Sequence, residues 1–124
     1  MDLNVGEFVR TKDGDIFKLA EFYDRTPLYS MKDENGILYG NPNKVVKRHS
    51  FNIIDLIEVG DYVNGILVFN ITIATTEKGN EWVYIGRDEQ NILPAIALRK
   101  ETIKTIVTHE QFESMAYKLG EEDE

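Results

Sequence analysis

The phrase Val5-Gly6-Glu7-Phe8-Val9 recurs as Val59-Gly60-Asp61-Tyr62-Val63. In each copy a glycine and an acidic residue precede an aromatic residue and a valine. A turn signal follows both copies, Lys12-Asp13-Gly14 in the first and Asn64-Gly65 in the second. Glycine lets the chain bend tightly, and aromatic and β-branched residues favour a strand. The repeat therefore predicts two similar β units, or one barrel built from two halves.

Further strand signals extend both units. Asn35-Gly36 lies between the short apolar runs 28–31 and 37–39, a strong hairpin signal. The run Ile66–Ala74 is rich in Val, Ile, Phe and Thr and predicts one long central strand. We therefore expect a mostly-β fold, an SH3-like, partly duplicated small barrel with one C-terminal α-helix. The predicted units are residues 1–44 and 45–124, which could form one compact domain.

The predicted helix begins after Thr108. Thr108 and Gln111 have the spacing of a capping box, in which each side chain binds the other residue's backbone N–H. Phe112, Met115 and Leu119 then follow at helical spacing. We expect these three side chains to pack onto the β core.

Composition excludes several classes of protein. The 124 residues are 42% hydrophobic and 29% charged, with a net charge of -8, which disfavours direct nucleic-acid binding. Cysteine is absent and the two histidines lack metal-ligand spacing, so no metal or cofactor is expected. No nucleophile motif or phosphate-binding glycine loop is present, and we expect a non-enzyme. No apolar run of about 18 residues and no signal-peptide pattern occur, so a cytoplasmic protein without membrane contact is expected.

The strand around Trp82 carries the main candidate binding surface. Alternation places Trp82 and Tyr84 on one face and Val83 and Ile85 on the other. If the aliphatic pair points inward, the aromatic pair forms an exposed platform that could stack a base or grip a partner. If Trp82 points inward, no platform exists.

Basic side chains could extend the surface around Trp82 or form a second binding surface. Arg87 follows on the same face of the strand and favours the platform, and Arg99 could reach it. The cluster Lys47-Arg48-His49 could form a local anion site, or could be a solvated strand end. The candidate binding residues are thus an aromatic pair and four basic residues: Trp82, Tyr84, Arg87, Arg99, Arg48 and His49.

Three blocks of sequence carry a resemblance to a family. They are VGEFVRTKDG (residues 5–14), NIIDLIEVGDYVNG (52–65) and IKTIVTHEQFE (103–113). In content and order they resemble small uncharacterised phage and prophage proteins of Firmicutes. The resemblance implies a phage origin and a compact accessory role, and it brings no catalytic residues.

From the resemblance and the composition we expect a non-enzymatic phage protein that acts in the host cytoplasm. It would antagonise a bacterial defence system by binding and blocking a host defence protein, such as a CRISPR effector or another immune nuclease or sensor. One alternative is sequestration of a small anionic signalling nucleotide. Another is a structural or regulatory phage binding module. The sequence is also compatible with a homo-oligomer.

Overall fold

The computed structural model describes residues 2–25, 28–77, 79–85 and 96–115. These residues form a mostly-β protein with three antiparallel sheets and a short C-terminal helix, so the predicted class is confirmed at that level. Within these ranges, none of the helices has the length and apolar character needed to cross a membrane.

The first sheet contains five strands. They are β1 (Phe8–Thr11), β2 (Ile16–Arg25), β3 (Leu28–Asp33), β4 (Leu38–Tyr39) and β5 (Val46–Ser50). Their order in the sheet is β4-β3-β2-β1-β5. A one-turn helix, α1 (Pro42–Val45), connects β4 to β5, and a 3-10 turn at Ile53–Leu56 follows β5.

The second half of the chain forms two smaller sheets. Its strands are β6 (Tyr62–Val63), β7 (Ile66–Leu67), β8 (Ile71–Thr76), β9 (Gly79–Ile85), β10 (Ile96–Arg99) and β11 (Ile106–Val107). The sheet orders are β10-β9-β8 and β11-β6-β7. Because β7 leads into β8, the combined order β10-β9-β8/β7-β6-β11 repeats that of the first sheet. A 3-10 turn at Lys100–Thr102 precedes β11, and the helix α2 (His109–Met115) follows it.

The repeated phrase forms the same turn in both halves. In Asn4–Glu7 the last N–H donates to the first carbonyl at 3.0 Å, and in Glu58–Asp61 the same bond measures 3.1 Å. Gly6 and Gly60 occupy the third position with φ of 97° and 98°. This left-handed conformation is what a type II turn requires at that position, and it explains the glycine of each phrase.

The acidic residue of each phrase closes the turn. Glu7 Oε1 accepts a hydrogen bond from the Asn4 N–H at 2.8 Å, and Asp61 Oδ2 accepts one from the Glu58 N–H, also at 2.8 Å. Each turn then binds the backbone of a later segment in the same way, at β2 in the first half and at the residue after β7 in the second. The Gly6 N–H donates to Leu19 O at 2.8 Å, and the Gly60 N–H donates to Val68 O at 2.8 Å. The sequence repeat is therefore also a repeat of backbone geometry.

The expected single strand over Ile66–Ala74 is wrong. In the first half β2 is continuous, and it pairs with β1 at one end and with β3 at the other. In the second half the corresponding segment breaks at residues 68–70, so β7 pairs with β6 whereas β8 pairs with β9. The chain changes sheets at the break, a tertiary effect that overrides the uniform β propensity of the run.

Each half contributes a separate hydrophobic cluster. The first consists of Leu3, Val9, Phe17, Leu19, Met31 and Val46, and the second of Ile54, Ile57, Val63, Val68, Val83 and Ile85. Val9 and Val63, which end the two phrases, are fully buried at equivalent places. The proposed boundary between residues 44 and 45 stays a prediction. β5, just beyond it, pairs with β1 in the first sheet.

The helix α2 begins as predicted but packs differently. The Thr108 N–H donates to Gln111 Oε1 and the Gln111 N–H donates to Thr108 Oγ1, both at 3.2 Å, so the capping box is confirmed. Phe112 is 54% exposed and Met115 is 80% exposed, so their expected packing onto the core is wrong. Phe112 contacts only the ring of Tyr62 among the aromatic side chains described. Leu119 lies outside the described residues.

Polar contacts at its first turn hold the helix instead. The hydroxyl of Thr108 is buried and donates to the carbonyl of Gly14 at 2.7 Å, across 94 residues of sequence. The side chain thus caps the helix and joins it to the first unit.

Thr108→Ala should lower the free energy of unfolding by about 2 kcal/mol, with about 1 from the lost cap and about 1 from the unpaired Gly14 carbonyl. Thr108→Ser keeps the hydroxyl and is the matched control. Urea denaturation of the three proteins measures the difference. Equal losses in the two variants would show that the hydroxyl does not hold the helix.

Candidate functional site

The sheet β10-β9-β8 presents Trp82 and Tyr84 on the face away from the core. Val83 and Ile85, which alternate with them on β9, are both fully buried. Since neighbouring residues of a strand point to opposite faces, the aromatic pair lies on the outer face. Tyr84 is 37% exposed and Trp82 is half-buried.

Arg99 joins the aromatic pair from the next strand. It is the register partner of Trp82, and its guanidinium carbon lies 5.5 Å from the centroid of the indole ring, a cation–π contact. Small residues flank the pair, because Ala74 is opposite Trp82 and Ala97 is opposite Tyr84. We call the surface of Trp82, Tyr84 and Arg99 the aromatic platform.

The other candidate binding residues lie in the first sheet or outside the described residues. Arg87 is outside the described residues. Arg48 and His49 are on β5, in the first sheet, and do not join the platform. Arg48 Nε lies 3.5 Å from Glu58 Oε2, and His49 Nδ1 lies 3.1 Å from Glu7 Oε2. Because carboxylates of the chain itself already face both side chains, they are poorly placed to form an anion site.

A buried charge network, absent from the sequence-based candidates, joins the two halves. Its centre is Arg10, which is fully buried. The guanidinium makes two parallel bonds to Asp61, at 2.6 and 2.9 Å, and a third to the carbonyl of Leu56 at 2.8 Å. A fourth bond reaches Glu110 Oε1 at 2.5 Å. Such bidentate contacts between an arginine and a carboxylate are strong and directional.

Both carboxylate oxygens of Asp61 are fully hydrogen-bonded, whereas Arg10 Nε has no hydrogen-bond partner among the described residues. Besides the Arg10 bonds, the Asp61 carboxylate accepts the Glu58 N–H at 2.8 Å and the His109 N–H at 2.9 Å. The acid of the second phrase therefore closes its own turn, binds the first unit and holds the first residue of α2.

Lys47, Glu58, Glu110 and His109 complete the network. The ammonium of Lys47 contacts Glu58 Oε1 at 2.9 Å and also contacts Glu110. His109 Nε2 lies 2.9 Å from the same oxygen of Glu58. Burial raises the pKa of Glu110, but hydrogen bonds from Lys47 and Arg10 outweigh it and lower that pKa to about 2. The pKa of Glu58 is likewise lowered, because Lys47 and His109 outweigh the opposing effect of burial.

Three members of the network could offer ligands to a metal ion. Ligand atoms of Glu58, His109 and Glu110 lie within 4.8 Å of one another. The ammonium of Lys47 contacts both carboxylates, and the guanidinium of Arg10 contacts Glu110. A divalent cation would have to displace Lys47, so the donor set suits an internal ion-pair network better than a metal.

Sequence reasoning missed this network because its members are distant in sequence. Arg10 lies 51 residues from Asp61 and 100 from Glu110. The one available signal was the acid in each repeated phrase, which identifies Asp61 but none of its partners.

No protein-family model matches the chain, and neither a curated protein nor a solved structure matches it significantly.

Acid should weaken the fold through Glu110. The pKa of this carboxyl is about 2 in the folded protein and 4.5 ordinarily, so its stabilisation is complete above pH 4.5 and is lost as the pH falls towards 2. Glu110→Gln lacks the titrating group. We expect the difference in unfolding free energy between wild type and this variant to shrink over that interval.

Denaturant unfolding across this pH range measures the difference, and Glu101→Gln, at an exposed position, is the control. A difference that stays constant would contradict an ionised Glu110 in the network.

Removal of metal should leave the melting temperature unchanged, because Lys47 already neutralises the two carboxylates. Dialysis against a chelator followed by thermal denaturation tests this. In Lys47→Met the competing ammonium is gone, and added Zn²⁺ should raise the melting temperature of this variant alone. A drop after chelation of the wild type would reveal a bound metal.

Proposed function

We propose that this chain is a non-enzymatic phage accessory protein that antagonises a bacterial defence system in the host cytoplasm. It acts by binding a protein component, such as a CRISPR effector or another immune nuclease or sensor, and blocking it. The observation that carries the proposal is the aromatic platform on the outer face of β8–β10.

The platform has the composition of a protein-binding hot spot. Tryptophan, tyrosine and arginine are the residue types most enriched among those that dominate binding energy at interfaces. Here one of each type lies on the same three-stranded surface, and Trp82 faces away from the buried Val83 and Ile85. Aromatic side chains that are already partly packed on a sheet lose little conformational entropy when a partner covers them.

Charge supports a basic partner. The net charge is -8, and nucleases and nucleic-acid sensors present basic surfaces to bind phosphate. Complementary charge increases the association rate and suppresses wrong partners. Arg99 lies inside the platform, where it would act through its contact with Trp82 rather than through long-range attraction.

The arrangement of titratable groups supports a non-enzymatic role. The densest cluster in the described residues is the network around Arg10, and its charges bind one another. We also propose that the fold is an SH3-like, partly duplicated small barrel, since both halves start with the same turn and repeat one strand order. Such a fold would position the platform rigidly.

A small anionic nucleotide is the second candidate ligand. The stacking of Arg99 on Trp82 favours it, because an indole can stack a base while a guanidinium binds phosphate. A structural or regulatory phage module without a defence target is the third.

Trp82→Ala should leave the protein folded and cost less than the roughly 3–5 kcal/mol expected for a fully buried core aromatic, because the indole is only partly buried and its loss removes part of the apolar contact together with the cation–π contact. Partner binding should weaken by about 2 kcal/mol or more, which is about thirtyfold. Phe51→Ala removes an aromatic that is 63% exposed and lies on a different segment, and it serves as the control.

The assay compares plaque formation by a targeted phage in hosts that carry a defence system and express each variant. Wild type and Phe51→Ala should restore plaques, and Trp82→Ala should not. Affinity capture with the same three proteins identifies whether a protein or a nucleotide is retained. Restoration by Trp82→Ala would overturn the platform's role, and capture of nucleotide alone would favour the second candidate.

A further inference from the structure

A cavity of about 330 Å³ lies where the two halves of the chain meet. Half-buried apolar side chains from both halves line it: Phe8, Ile16, Ile53, Ile103 and Ile106. They come from β1, β2, the 3-10 turn after β5, β11 and the segment just before β11. This surface is separate from the aromatic platform, with which it shares no residue.

One wall of the cavity is rigidly held. The loop at residues 102–105 is fixed by Asn64, which adopts the left-handed conformation with φ of 51°. Its side-chain oxygen accepts the N–H groups of Lys104 and Thr105 at 2.8 and 3.2 Å, and its amide donates to Thr102 O at 2.9 Å. The cavity is therefore preformed, as ligand sites usually are.

The charge of the lining is opposite to that of the protein. Among the described residues two lysines, Lys100 and Lys104, line the cavity and no acidic residue does, although the chain has 22 acidic and 14 basic residues. In the described part of the chain neither lysine forms an ion pair, in contrast to Lys47 and Arg48. A third lysine, Lys18, lies 5.9 Å from the ring centroid of Phe8. None of these three lysines forms an ion pair with an acidic residue in the described ranges.

We propose that this cavity binds a small amphipathic anion, with an aliphatic body against the isoleucines and a carboxylate or phosphate head between Lys100 and Lys104. The cavity volume is at the lower end of the range for ligand pockets, about 300–1,000 Å³, and suits a single aliphatic chain better than a nucleotide or a peptide. This site is independent of the protein-blocking function.

Titration calorimetry of the full chain tests the site with three probes. Sodium decanoate and decyl phosphate carry the anionic head, and decanol is the neutral counterpart. Wild type should bind one equivalent of at least one anionic probe, and decanol should bind at least about tenfold more weakly, a difference of about 1.4 kcal/mol. The comparison of the two anions identifies the preferred head group.

Variants distinguish binding through the lysines from nonspecific apolar binding. The double variant K100Q/K104Q should weaken binding of the anion by about tenfold or more without changing that of decanol. The matched control is K44Q, at an exposed lysine of α1, and it should bind as wild type does. In wild type, Lys100 and Lys104 form no ion pair within the described residues. The melting temperature of the double variant should therefore match that of wild type.

Amide chemical shifts locate the bound probe. Decanoate should shift the N–H resonances of Lys104 and Thr105, which border the cavity. The proposal is overturned by an absence of saturable binding, by equal affinity for decanol, by unchanged affinity in K100Q/K104Q, or by shifts centred on the aromatic platform. None of these results would bear on the plaque assay, so the two proposals fail separately.

Discussion

The buried pair of Arg10 and Asp61 is the constraint on which the arrangement of the two halves depends. Removing two charges from water is costly, and the cost is offset only if nearly every donor and acceptor finds a partner. Asp61 meets this condition with four hydrogen bonds, two from Arg10 and one each from the backbones of Glu58 and His109. Any shift between the halves would break these hydrogen bonds and leave a buried charge without a partner. The pair therefore specifies one relative position where apolar contacts alone would tolerate several.

The two halves share the five-residue phrase and differ at the residue that follows it. After the first phrase comes Arg10, and after the second comes Asn64. Both residues bind backbone far from their own strand, but Arg10 reaches across to the other half, whereas Asn64 fastens the loop at 102–105 within its own half. A duplicated scaffold thus uses the position after the phrase for two purposes. One side chain joins the halves, and the other shapes the wall of the cavity.

Local sequence signals predicted the parts of the fold that depend on neighbouring residues. The glycine and acid of each phrase, the Asn35-Gly36 hairpin and the capping box of Thr108 are all of this kind. The contacts of Phe112 and the break in Ile66–Ala74 could not be predicted, because helical period and β propensity identify an apolar face but not what it meets. The same limit applied to Trp82. Alternation separated its face from that of Val83, and only the position of the buried cluster shows which face is inner.

The distribution of cations separates the structural surfaces of this acidic protein from the proposed binding surfaces. Arg10 and Lys47 bind carboxylates that are largely buried, and these contacts hold the halves and the helix together. Among the described residues Arg99 has only the exposed Glu101 as an ionic partner, a kind of pair that contributes little to stability. Lys100, the next residue, lines the cavity. The end of β10 and the 3-10 turn after it thus carry consecutive cations to two different surfaces, the platform and the cavity. Within the described residues neither cation balances a buried charge, so both stay available to the ligands proposed for these two surfaces.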